Sequence, residues 1–404
     1  MTRGDGVPVT VTTCDDFHHV DTAAELLTAD DQHPNRILHH DPSRPIARSL
    51  WPAGRGVDIF GDGRASEVDG WRYEVYPNWH GDPYTRAAFT CALDRGIFIP
   101  ESTMIISADD RLIHPSVENF AYWGGIEHRE LSIANVDGQL IWRRPPIDDV
   151  DVIAVSTVGV AHMNYGHFLL DGLPLVYLLV NSVRGRLSED RLAIVCPPLR
   201  PWQREILCLL NLDRFVRVVE RPTRFGTLAG NSLLSKHVAF PTRYARTVFD
   251  ALKFSVPAVA DAPEKIFIVR TNQEGRVMRN QDQLLQRMLT RGYTTIAPEQ
   301  HSIRKQIQLF SRAKIVVGAT GAGFANVGFA PPGATVVEIM AESQPDQWLR
   351  RLSLLLAHRW HGYIHPVDET RGLRVAAQFF PLFNFSFDLP LDDFEEALSV
   401  VEMT

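Results

Sequence analysis

Lys314 to Ile339 read KIVVGATGAGFANVGFAPPGATVVEI. An apolar run, Ile315 to Val317, stops at a loop carrying Gly318, Gly321 and Gly323. A small-residue helix pattern follows, then Pro-Pro-Gly, then a second apolar run ending in Glu338. Strand, glycine loop, helix, strand is how α/β proteins aim backbone N–H groups at a phosphate. Glycine lets the backbone approach the anion, and the helix N-terminus adds partial positive charge. An acid closing the next strand is placed to accept hydrogen bonds from a ribose. The stretch points to a nucleotide or nucleotide-sugar site. A tight turn that needs glycine only for packing would read the same way, because the loop has neither G-x-G-x-x-G spacing nor a P-loop lysine.

The neighbouring sequence repeats the alternation. KIFIVR (265–270) and YTTIAP (293–298) read as strands. Between them QDQLLQRMLTRG (281–292) is an amphipathic helix closed by Gly292. HSIRKQIQLFSRA (301–313) spaces Ile303, Ile307 and Phe310 as a helix does, with Ser302 as N-cap. DQWLRRLSLLLAH gives a further helix and WHGYI a further strand. Strands alternating with helices imply parallel βαβ units in a doubly wound sheet. An earlier block repeats the theme. DVIAVSTVG (151–159), RLAIVCPP and FVRVVERP read as strands. HFLLDGLPLVYLLVNSV, kinked by Pro174 or carrying it in its first turn, and RPWQREILCLLNL read as helices.

TRYARTVFDALKFSV (242–256) reads as a helix leading to the Ala/Pro-rich linker VPAVADAPE (256–264). The expected organisation is an N-terminal domain over 1–255, with a β-rich extension over 1–150 and a Rossmann-like part over 151–255. A Rossmann-like nucleotide-binding domain follows over 263–364, then a tail over 365–404 with a terminal helix, PLDDFEEALSVVEM. RAAFTCALDRGIFIPESTMIISADDRLIHPS (86–116) reads as β-hairpin material.

Bulk properties narrow the function. The 404 residues are 45% hydrophobic and 22% charged, enough to bury two sizeable cores. A net charge of −7 argues against a nucleic-acid partner. Arginine far outnumbers lysine, and arginine suits phosphate. The four cysteines (Cys14, Cys91, Cys196, Cys208) have neither CxxC nor zinc spacing. No signal peptide or transmembrane run is evident, so a cytoplasmic protein is expected.

The second chemical site is NYGHFLLDGLP (164–174). His167 and Asp171 are four apart, so a helix projects them from one face. That pairing suits a general base, and equally a structural acid bonded to its neighbours. The pair follows a buried strand, on the side where open α/β sheets place ligands. Arg270 ends the first strand of the second block, and Arg276 and Arg279 follow it. Arginines there clamp a diphosphate, although loop arginines are most often solvated. DDVDV (148–152) and ADDR (108–111) read as acidic turns, so a metal-bridged diphosphate is not expected.

Taken in order, these segments resemble glycosyltransferase family 61. NYGHFLLDGLP matches its N-Y-x-H-x-x-x-D-x-x-P signature. KIFIVRTNQEGRVMRN places Arg270, Arg276 and Asn280 as the family does, residues 297–317 match its next segment, and the opening stretch matches its glycine motif, including Asn326. The resemblance covers about 150 to 340. It implies a GT-B-like fold, two Rossmann-like domains facing a cleft, and inverting, metal-independent transfer from a nucleotide sugar, with a UDP-sugar as the candidate donor and no cofactor. Asp171 becomes the candidate base with His167 its neighbour. Arg270, Arg276, Thr320, Gly321, Ala322, Gly323 and Asn326 become candidate donor ligands, and Glu338 the ribose ligand. A carbohydrate or small molecule is the implied acceptor, and a homodimer is admissible. The family carries His where this chain has Thr320. Threonine can cap a helix or bond a phosphate but supplies no imidazolium. Alternatives are therefore an enzyme acting on a nucleotide or sugar phosphate, and a non-catalytic nucleotide-sugar-binding protein. A dehydrogenase lacks its glycine fingerprint here.

Overall fold

A computed structural model describes residues 7–12, 17–39, 57–60, 65–67, 89–100, 103–113, 133–136, 139–156, 164–231, 241–271, 276–341, 348–365, 369–375 and 378–403. Cys14 and the loop segment 272–275 lie outside them. The fold is mixed α/β, with helices and three sheets among the described residues. The chain divides into two compact units, one of Met1–Ser43 with Thr85–Phe240, the other of Arg44–Tyr84 with Pro241–Thr404.

In the first unit four parallel strands form the heart of a larger sheet. Asp148–Ser156 pairs on one side with Leu192–Cys196, which pairs with Val216–Val218. On its other side lies Thr223–Asn231. The chain thus winds outward from Asp148–Ser156 and returns across it, creating a switch point at that strand. Antiparallel strands extend the sheet, among them Phe89–Asp94, Ile97–Ile99 and Met104–Ile106. Phe98 and Ile105 from these strands pack with Phe225 and Leu228 of Thr223–Asn231 in one buried core cluster. Where it is described, the expected hairpin material over 86–116 forms the strands Phe89–Asp94, Ile97–Ile99, Met104–Ile106 and Arg111–Ile113, joined by turns.

DDVDV is not a turn: it opens the Asp148–Ser156 strand. The acids can sit in a strand because arginines meet them. Asp149 accepts from Arg95 at 2.7 Å and from Arg224, on the adjacent strand, at 3.3 Å. ADDR does lie at a turn, with Asp110 at positive φ.

The second unit holds parallel strands in the spatial order Thr294–Ile296, Lys265–Ile268, Ile315–Ala319, Thr335–Ala341, Arg359–His365. Numbered along the chain from Lys265 this is order 2-1-3-4-5, which reverses between the first and third strands. Val57–Phe60 from the distant N-terminal segment adds a parallel strand beside Arg359–His365. Ser302 caps Ile303–Phe310 by accepting from the Lys305 N–H, and Gly292 at positive φ ends Gln281–Thr290. The C-terminal helix Leu391–Met403 is tied to the first strand and helix by Glu402. It accepts from Lys265 and Tyr293 at 2.9 Å each and pairs with Arg291.

The helix Arg243–Ser255 belongs to this second unit, so the division falls at 240/241, ahead of the helix and not in the 256–264 linker. The reason is packing. Phe249 meets Phe329 edge-on at 5.3 Å, and a Cβ on Gly328 would sit 2.2 Å from the Phe249 ring. Only glycine admits that ring. Among the described residues no single helix is long and apolar enough to cross a membrane.

Candidate functional site

The His167–Asp171 pair sits on a short broken helix after the switch-point strand of the first unit. Asn164 starts it, its side chain accepting from the His167 N–H. One α-turn, Tyr165–His167, widens into a π-turn, Phe168–Gly172, closed by the Leu173 N–H donating to the Phe168 carbonyl at 2.9 Å. Pro174 then opens the helix Pro174–Val183, bent 44° from the first piece. Proline has no N–H for the carbonyl four residues back and its ring crowds that carbonyl. The wider turn and the bend relieve both.

The turn brings His167 Nδ1 to 2.6 Å from Asp171 Oδ2. Side-chain exposure is 6% for Asp171 and 16% for His167, so the carboxylate is the inner group and the imidazole the outer. Nδ1 donates to the carboxylate, which leaves Nε2 at the far edge of the ring as the basic nitrogen. Tyr165 and Phe168 fix the turn by meeting Trp202 edge-on at 5.5 and 5.3 Å.

The second cluster lies at the sheet reversal of the second unit. Arg270 follows the C-terminal end of Lys265–Ile268, and the glycine loop follows Ile315–Ala319, the two strands that flank the reversal. A Cβ on Gly318 would lie 3.0 Å from the Ile268 carbonyl oxygen, and one on Gly321 3.8 Å from Arg270 Nε. Arg270 is half-buried and its Nη1 is enclosed with no hydrogen-bond partner among the described residues. Burial lowers the guanidinium pKa, while Glu299 opposes that shift. The group nevertheless stays cationic at neutral pH, so it is a poorly solvated positive charge beside a glycine loop. Gln281 holds its carbonyl at 3.2 Å.

The loop residues themselves are distributed unevenly. Ala322–Phe329 forms a 3-10 helix whose N-cap is Gly321, with no side-chain cap. Thr320 does not cap it. Its hydroxyl donates to Glu338 Oε1 at 2.8 Å, and its carbonyl accepts from Arg276 Nη1 at 3.1 Å. Asn326 is buried and donates to the Gly323 carbonyl at 2.9 Å, bracing the helix from within. Glu338 is fully buried, and Oε2 accepts from Trp360 Nε1 at 3.0 Å. Arg279 turns away to Asp388 at 2.6 Å. Among the described residues no group of three or more His, Cys, Asp or Glu gathers as metal ligands would.

Residues 165–337 match the family model Glycosyltransferase 61, a span that begins at the broken helix and ends one residue before Glu338. Over those residues the chain is similar to glycosyltransferase family 61. No curated protein matches it. That similarity indicates glycosyl transfer, with a sugar donor and an acceptor as substrates.

Sequence reasoning singled out His167, Asp171, Arg270 and the loop. It missed Trp202 and Trp360, whose contacts depend on packing between elements distant in sequence.

Proposed function

We propose that the protein is an inverting glycosyltransferase using a nucleotide-sugar donor, with a UDP-sugar as first candidate. The carrying observation is the enclosed Arg270 Nη1, without a hydrogen-bond partner among the described residues, beside Gly321 at the sheet reversal. There, preorganised positive charge would stabilise the departing diphosphate, with Arg276 holding the loop carbonyl. A GT-B-like arrangement of two Rossmann-like domains about a cleft belongs to the same proposal. It is supported by two sheets with parallel strands at their hearts, each followed by candidate residues at C-terminal strand ends.

The acceptor hydroxyl is deprotonated by the His167–Asp171 pair. The sequence reading makes Asp171 the base. The burial order favours a division of labour in which His167 Nε2 takes the proton and Asp171 orients the ring and stabilises the imidazolium. The freed oxygen attacks the anomeric carbon, the bond to the diphosphate oxygen breaks, and configuration inverts. Charge on the leaving group falls to arginine and loop N–H groups, so transfer is metal-independent.

The test is product analysis with a panel of nucleotide sugars and acceptors, with and without EDTA. Transfer with inverted configuration, unchanged by EDTA, is expected. Asp171→Asn should abolish turnover and leave nucleotide binding intact; near-normal turnover sinks the assignment. A second reading, a binding protein without catalysis, is favoured by Thr320, whose hydroxyl is already committed to Glu338. It predicts nucleotide affinity with no transfer across the whole panel.

A further inference from the structure

The glycine loop is held from behind by a buried chain of three side chains. Thr320 has every polar group engaged. Its N–H donates to the Ile339 carbonyl at 3.0 Å, its hydroxyl to Glu338 Oε1, and its carbonyl accepts from Arg276. Glu338 receives Thr320 on one oxygen and Trp360 on the other. Solvent does not reach it, so a ribose hydroxyl would have to break into this cluster to touch it.

The strand register explains how an indole reaches that carboxylate. Gly318, Glu338 and Gly362 stand side by side on three adjacent strands. Trp360 is two residues before Gly362, on the same face of its strand. A Cβ on Gly362 would lie 2.5 Å from the indole. The missing side chain lets the ring lie over the backbone and extend towards Glu338. Arg350 sits 5.8 Å over the indole from the helix Trp348–Leu355.

We infer that Glu338 is a positioning residue that fixes the phosphate-binding loop through Thr320, with Trp360 anchoring it, and is not a ribose ligand. This rests on the reading that the 320–323 loop holds the donor's phosphates. The Thr320 hydroxyl is the link between the carboxylate and the loop. Deleting it frees the strand-to-helix junction that aims the N–H groups of Ala322 and Gly323.

The test uses the full chain, with calorimetric titration of inorganic pyrophosphate, UDP and 2′-deoxy-UDP, beside thermal melting as a check on folding. Pyrophosphate carries no ribose, so it reports loop geometry alone. Thr320→Val keeps shape and charge but removes the hydroxyl. It should weaken pyrophosphate and UDP by the same factor, about tenfold, and Thr320→Ser should restore both. Glu338→Gln should bind pyrophosphate at least as well as wild type. Its amide can accept from Trp360 and donate to Thr320, whose hydroxyl then turns to the Ile339 carbonyl 3.2 Å away. The inference is overturned if Thr320→Val leaves pyrophosphate affinity unchanged. It is also overturned if Glu338→Gln weakens UDP selectively while 2′-deoxy-UDP is unaffected, since that marks a ribose ligand. Wild-type protein that binds neither pyrophosphate nor UDP overturns the phosphate-loop reading itself.

Discussion

His358 is an imidazole sealed where it cannot readily hold charge. It is buried between the helix Trp348–Leu355 and the strand Arg359–His365. Burial is the main reason its pKa is pushed down to about 4, the Ala330 and Pro331 carbonyls oppose the shift, and Lys253 adds to it. In the unfolded chain the ring takes its proton near 6.5, in the folded protein only near 4. Between those values the unfolded state binds the extra proton. The stabilisation is therefore complete above pH 6.5 and declines as pH falls towards 4, by about 3 kcal/mol in all. Denaturant unfolding between pH 7.5 and 4.5 measures it, and His358→Gln should flatten the slope relative to wild type. At this scale the sequence displayed His167, Asp171 and Arg270 clearly, because their spacing and strand-end positions are local properties. It did not display the fate of Thr320 or Glu338. Their partners lie across strands, and Trp360 reaches Glu338 only because Gly362 is bare.

Among the elements, the π-turn at Phe168–Gly172 carries the sharpest consequence. Pro174 imposes the wide turn, and the wide turn sets the His167–Asp171 separation. Pro174→Ala returns an N–H and removes the crowding, so a regular α-helix becomes available through 165–183. Asp171 would then rotate relative to Asn164 and Trp202. Turnover should fall roughly tenfold to a hundredfold while the melting temperature changes little. Steady-state kinetics beside thermal melting checks both, and unchanged turnover would show that the π geometry is incidental. Apolar periodicity could reveal a helix here but not its change of pitch; proline was the sole local sign. The strands and helices behind the 2-1-3-4-5 order were legible, since each had its own signal, such as Ser302 and Gly292, but the order itself was not. The strand character of DDVDV was hidden, because it depends on Arg95 and Arg224, far away in the chain.

At the scale of the whole molecule the second unit is discontinuous. Its sheet is extended by Val57–Phe60 and Ala65–Glu67, while its other strands lie beyond residue 264. A fragment of 241–404 lacks that partner and leaves the Tyr363–Ile364 edge unpaired. Open edges invite self-association. The fragment should therefore run as soluble aggregate or higher oligomer in size-exclusion chromatography, and a monomeric, cooperatively unfolding fragment would show the added strand to be dispensable. Two α/β blocks were readable from the alternation of strand and helix. The crossover of the 44–84 segment was not, since no local pattern announces a partner that far off. The same crossover bears on how the protein is made. Val57–Phe60 leaves the ribosome long before the Arg359–His365 strand it joins. At 5–20 residues per second, the intervening stretch of about 300 residues takes roughly 15 to 60 s to synthesise. For that interval the nascent chain must carry an unmatched strand while the segments of the first unit are already made, so the pace of translation and the chaperones that guard the ribosome exit are built into the yield of the finished protein.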